Sequence, residues 1–133
     1  MSKLRAALIG AGAGLASLMV FASSAQAVSI THITGDCGTS LVVGSTVRTT
    51  SGDGHIRLKY TNGLGLTNNV ALKISPIRQP DGAAAWGTTT VGPSTGGTWY
   101  LASGLGSGIR FSLNFRADAN PSPDNHWEGD LYY

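Results

Sequence analysis

This sequence has a single cysteine, Cys37, and few charges, since Asp, Glu, Lys and Arg make up only 12% of its 133 residues. One cysteine excludes a disulfide within the chain, so the fold must be held together by packing. The thiol is then buried, reactive, or bridged to a second molecule, and a dimer through Cys37 is one open alternative. We favour an inert, at least partly buried thiol, because the flanking Gly35 and Gly38 are typical of a turn.

Charge is also missing from residues 6–21, which follow the two basic residues Lys3 and Arg5. A short basic start, an apolar run and the small residues Ala25 and Ala27 are typical of a secretory signal peptide with its cleavage site. The sequence therefore predicts a cleaved signal over residues 1–27 and a single domain over residues 28–133. After cleavage it predicts no stable membrane anchor, so the product is expected to be secreted and extracellular. The glycine-rich apolar run resembles the signals of high-GC Gram-positive bacteria, and this resemblance implies a bacterial protein.

No excess of positive charge remains once the predicted signal is removed. Nine Lys and Arg residues face seven Asp and Glu residues in the whole chain, and two of the nine are Lys3 and Arg5. The domain is thus neutral, which gives no electrostatic reason for a nucleic-acid partner.

Helical periodicity is absent after residue 28, whereas alternation of apolar and polar residues recurs. The strongest example is Ile109–Arg116, and at the first strand Val28 and Ile30 take the apolar positions. Strands are predicted near residues 28–32, 41–50 with a break at Gly44, 56–60, 70–75, 84–91, 98–102, 109–116 and 127–133. Pro76 should end its strand or mark an edge. Seven to eight short strands predict an all-β fold, a small antiparallel β-sandwich, with a closed β-barrel as the alternative.

Recognisable catalytic motifs are lacking as well. The histidines His32, His55 and His126 are far apart in sequence, and no Gly-x-Ser-x-Gly turn occurs. Asp118 and Asp124, in an Asp- and Asn-rich loop, are the only candidates for a calcium site, and their spacing fits no EF-hand. We therefore predict no enzyme activity, no metal and no cofactor.

What the sequence does have is aromatic side chains in strands. Because Trp99 and Tyr100 are adjacent, one of them should be exposed, and Tyr132 falls on a polar face. Exposed aromatic rings on a sheet can stack on sugars or anchor a protein. The predicted ligand-binding residues are Trp86, Trp99, Tyr100, Tyr132, Arg110 and Arg116.

These observations favour a small secreted, non-catalytic module that binds an extracellular ligand, a carbohydrate or a cell surface. The alternative is a secreted protein that interacts with or inhibits another exported protein through residues 75–83 or 117–126. A small secreted hydrolase is the third interpretation.

Overall fold

The computed structural model describes residues 27–65, 69–82 and 86–133, which form nine β-strands and no helix. None of these residues belongs to a helix of the length and apolarity that crossing a membrane requires. The predicted signal peptide lies outside the described residues except for Ala27, so the cleavage site at Ala25 and Ala27 remains a prediction. The strands are β1 (Ile30–Asp36), β2 (Val42–Val43), β3 (Arg48–Thr49), β4 (Ile56–Asn62), β5 (Leu72–Arg78), β6 (Thr89–Val91), β7 (Thr98–Ala102), β8 (Arg110–Ala117) and β9 (His126–Tyr132).

The strands form two antiparallel sheets, which confirms the predicted all-β class. The first, here called the front sheet, has the order β1-β9-β4-β7. The second, the back sheet, has the order β2-β8-β5-β6, and β3 also pairs with β8. Among the described strands, no ladder joins the two sheets into one closed sheet.

Large apolar side chains fill the space between the two sheets. Phe115 of the back sheet meets Trp127 of the front sheet edge to face, with ring centroids 5.1 Å apart. Tyr60, Leu58 and Ile74 are fully buried in the same cluster. Burying one such aliphatic side chain stabilises the fold by about 1.5–3 kcal/mol, so this core takes over the role that disulfides have in many small exported domains.

The predicted break at Gly44 is confirmed, and it raises the number of strands to nine. β2 and β3 pair with different parts of β8, through Val42 opposite Phe115 and Arg48 opposite Phe111. Between them the Gly44 N–H donates to the Leu113 carbonyl oxygen at 3.0 Å. A Cβ atom at Gly44 would collide with that oxygen, so only glycine allows this close approach.

Pro76 marks an edge, which is the second of its two predicted roles, and β5 continues through it to Arg78. Pro76 lies beyond Ile74, the last β5 residue that pairs with β6, where no described strand requires its missing N–H. One strand prediction needs correction. The strand predicted over residues 84–91 is shorter, since β6 starts at Thr89 and leaves Trp86 outside it.

Candidate functional site

The outer face of the front sheet brings together the polar and aromatic side chains of four strands. On β9 the residues from His126 to Tyr132 alternate strictly between partly exposed and buried. Arg57 of β4 lies opposite Tyr132 of β9 on one side and opposite Tyr100 of β7 on the other. These three side chains, Tyr132, Arg57 and Tyr100, therefore form one line across the sheet, which we call the aromatic row.

Arg57 is held in place from two directions. Its guanidinium carbon lies 5.4 Å from the centroid of the Tyr132 ring, within range of a cation–π interaction. Its Nη2 is 3.0 Å from the Asp53 carboxylate. The buried Nε of Arg57 has no hydrogen-bond partner among the described residues. The cation in the centre of the row is thus oriented, and its buried Nε–H is left without a partner in the described part of the chain.

Tyr100 is the most exposed member of the row, with 55% of its surface accessible. The imidazole of His55 packs edge-on against its ring, with centroids 5.1 Å apart and an interplanar angle of 77°. His55 Nδ1 in turn lies 3.1 Å from the Ser103 hydroxyl oxygen. Tyr100 is therefore both exposed to solvent and supported by His55.

Beside the aromatic row, five titratable side chains form a continuous hydrogen-bonded chain, here called the acid–histidine chain. Asp36 Oδ1 lies 2.8 Å from His126 Nδ1, and His126 Nε2 lies 3.0 Å from Glu128 Oε1. The other oxygen of Glu128 is 3.2 Å from His32 Nε2, and His32 Nδ1 is 2.8 Å from Asp130 Oδ1. The Glu128 carboxylate therefore joins two aspartate–histidine pairs, one residue of each pair lying on β1 and the other on β9.

The geometry of this chain favours doubly protonated histidines. A neutral imidazole has one N–H donor and one lone pair, yet both nitrogens of each ring face a carboxylate. Asp130 foremost, and also Glu128, raises the pKa of His32 above its ordinary value of 6.5, and Asp36 followed by Glu128 does the same for the pKa of His126. In return, His126 foremost holds the pKa of Glu128 below its ordinary value of 4.5. The rings are therefore cationic over a wider pH range than free histidine.

The structure separates the other predicted ligand-binding residues from the aromatic row. Trp99 and Trp86 are partly buried and pack against the core, and Trp99 meets Tyr60 edge to face at 6.1 Å. Arg110 and Arg116 lie on β8 in the back sheet. Tyr100 and Tyr132 belong to the front sheet, so Arg57, rather than Arg110 or Arg116, is the arginine beside them.

The two candidate calcium ligands are engaged with the backbone. Asp118 Oδ1 accepts a hydrogen bond from the Ala71 N–H at 3.0 Å, and Asp124 Oδ1 accepts one from the His126 N–H at 3.0 Å. No three His, Cys, Asp or Glu side chains in the described part of the chain are placed to hold a metal ion. Asp124 thus forms a local turn just before β9, whereas Asp118 ties the start of the loop after β8 to the residue before β5.

Cys37 is buried, with 3% of its surface exposed, and burial raises the pKa of its thiol to about 11. Its backbone N–H donates to the Asn125 carbonyl oxygen at 3.0 Å. This placement agrees with the inert thiol favoured by the sequence and leaves the sulfur poorly placed to bridge two chains.

Sequence reasoning missed Arg57 and the acid–histidine chain. Arg57 could have been found from its place on the polar face of a clear strand, but the distant strands β1 and β9 must pair before His32 and His126 can meet Glu128. No family model, no curated protein and no solved structure matches this chain. A function for the protein must therefore be inferred from its own residues.

Proposed function

We propose that this chain is a small secreted, non-catalytic β-sandwich module that binds an extracellular glycan through the aromatic row. The observation that carries the proposal is the alignment of Tyr132, Arg57 and Tyr100 across three neighbouring strands. A pyranose ring has an apolar C–H face that stacks on an aromatic ring, and hydroxyl groups that accept hydrogen bonds at its rim.

The spacing of the row suits two sugar units. β9 and β7 lie on either side of β4, so Tyr132 and Tyr100 are two strand spacings apart, or about 9.6 Å. Two sugars of one chain stacked on these rings would then place the part of the glycan between them near Arg57, whose planar guanidinium donates several hydrogen bonds. Asp53, paired with Arg57, and His55, packed against Tyr100, add polar groups beside the row.

The test is retention on insoluble polysaccharides, followed by calorimetric titration with the matching oligosaccharides. Tyr100→Ala and Tyr132→Ala should each weaken binding about tenfold or more, as expected for a central aromatic contact. Arg110→Ala is the matched control, because it removes an exposed arginine from the back sheet, and it should bind like the unmodified protein. The proposal fails if no glycan is retained, or if both tyrosine variants bind as well as the control.

A further inference from the structure

Among the described strands, β1 is an edge strand that forms a ladder with β9 alone. Ser29 and Tyr133, the pair just before the ladder, exchange both backbone hydrogen bonds, at 2.8 and 3.0 Å. Because such pairs alternate along antiparallel strands, the N–H and C=O groups of Ile30, His32, Thr34 and Asp36 point away from β9. In the described part of the chain, no other strand pairs with them.

The usual protections of an edge strand are missing from β1. Its seven residues include no proline and no lysine, and its register with β9 runs from Ile30 to Asp36 without a bulge. Ile30, with 62% of its surface exposed, adds an apolar side chain. Long and regular edges without proline or lysine are the ones that pair with further strands.

The neighbouring edge of the back sheet is also apolar. Thr34 of β1 and Gly44 and Arg48 from the β2–β3 region line one cleft of about 100 Å³, so the two edges lie side by side. In the segment around β2 that leads to Gly44, Leu41 is 58% and Val43 is 71% exposed. Whatever pairs with β1 therefore also meets apolar side chains.

We propose that the partner is a second copy of this chain, paired antiparallel through β1 so that two front sheets become one sheet of eight strands. The edge is self-complementary, because the same four residues offer both the donors and the acceptors on each copy. Centring the pair on Ile33 aligns the whole strand with itself. His32 then lies opposite Thr34 of the second copy rather than opposite a second His32, which avoids facing like charges.

The assembly has two consequences that separate it from other dimers. Its twofold axis is perpendicular to the sheet, so both aromatic rows lie on the same side of the assembly. The contact also leaves Cys37 buried, so the dimer does not depend on a disulfide. The inference stands on the β1 edge and does not require that the ligand be a glycan.

The test is analytical ultracentrifugation of the protein expressed from its full sequence, with its N-terminus read by mass spectrometry, from about 10 µM to about 1 mM and with and without reductant. We expect a dimer that persists in reductant. Thr34→Pro removes an N–H that β9 does not use and should give a folded monomer, whereas Thr34→Val keeps the N–H and should remain dimeric. Thr34→Lys is a second blocking variant should the proline disturb folding.

Hydrogen exchange supplies an independent measurement on the unmodified protein. The amides of Ile30, His32, Thr34 and Asp36 should gain protection as the concentration rises through the dimer range, whereas the β4 amides, which lie inside the sheet, should not change. A monomer at every concentration, a dimer that folded Thr34→Pro or Thr34→Lys leaves intact, or a dimer lost in reductant would each overturn the proposal.

Discussion

Arg57 lies over the ring of Tyr132, with its guanidinium carbon 5.4 Å from the ring centroid, across the ladder between β4 and β9. Because Asp53 holds the same guanidinium at 3.0 Å, Arg57 is oriented before any ligand arrives. An arginine that is already ordered in the free protein loses less conformational entropy when a ligand binds. A rigid arginine between two tyrosines is the reason to regard this face, rather than the back sheet, as the one that binds.

The contribution of Arg57 to the fold can be measured separately from binding. Arg57→Ala removes the cation–π contact and a partly exposed ion pair, so the free energy of unfolding should fall by about 1 kcal/mol. Urea denaturation followed by tryptophan fluorescence gives the value. Lys59→Ala, which removes an exposed cation from the same strand, is the control and should change stability less. Equal effects of the two variants would mean that the stacking on Tyr132 adds nothing.

The acid–histidine chain makes stability depend on pH in a defined direction. The pKa values of His32 and His126 are raised in the folded state, so their contribution is complete below pH 6.5 and is lost as the pH rises through the folded pKa values. The pKa of Glu128 is lowered, so its contribution is present above pH 4.5 and is lost as the pH falls through the folded pKa. Melting temperatures across this range should show the contribution of the chain at its maximum between pH 4.5 and 6.5.

Glu128→Gln provides the variant for that measurement. A neutral amide cannot accept a charge-assisted hydrogen bond from both imidazoles, so the pKa values of His32 and His126 should each move down towards 6.5 in an NMR titration. His55→Asn, outside the acid–histidine chain, serves as the control and should leave both pKa values unchanged. Unchanged histidine pKa values in Glu128→Gln would show that the shared carboxylate does not bind both rings.

The centre of the front sheet should not tolerate a methyl group at Gly129. A Cβ atom there would lie 2.6 Å from Leu58 Cδ1 and 2.9 Å from the Lys59 carbonyl oxygen, and the latter is backbone that cannot move aside. Gly129→Ala should therefore destabilise the protein by about 1–3 kcal/mol in chemical denaturation. Gly106→Ala, where a Cβ would meet no atom within 4 Å, should stay close to the stability of the unmodified protein.

Cys37 should be protected from thiol reagents in the folded protein. With 3% of its surface exposed and a thiol pKa of about 11, it presents almost no accessible thiolate at neutral pH. Ellman's reagent should react with it quickly in denaturant and slowly without. Rapid labelling of the native protein would show that the region around Cys37 opens readily.

Local alternation was enough to predict the strands and most of the buried faces, because the period-two pattern of apolar and polar residues is contained within each segment. The alternation correctly placed Leu131 and Tyr132 of β9 on opposite faces of the strand. Of the adjacent residues Trp99 and Tyr100, one is exposed, as predicted. The alternation misassigned Ile30, which the pairing of β1 with β9 turns outward while Ile33 faces the core.

The candidate site was harder to predict, because its geometry depends on which strands become neighbours. The pairing of β4 with both β9 and β7 places Arg57 between two tyrosines. The pairing of the first and last strands brings His32 to Glu128. Neither pairing follows from alternation within one strand, so Arg110 and Arg116, on the strand with the clearest pattern, were chosen in place of Arg57.

The lone buried thiol has a consequence for where this fold can form. No covalent cross-link within the chain takes part in it, and the sulfur of Cys37 is surrounded by the core. The stability of the folded state should therefore not depend on the redox potential of its surroundings. The melting temperature should be the same in a reducing and in an oxidising glutathione buffer. Folding in a reducing compartment and folding in an oxidising one then lead to the same native state.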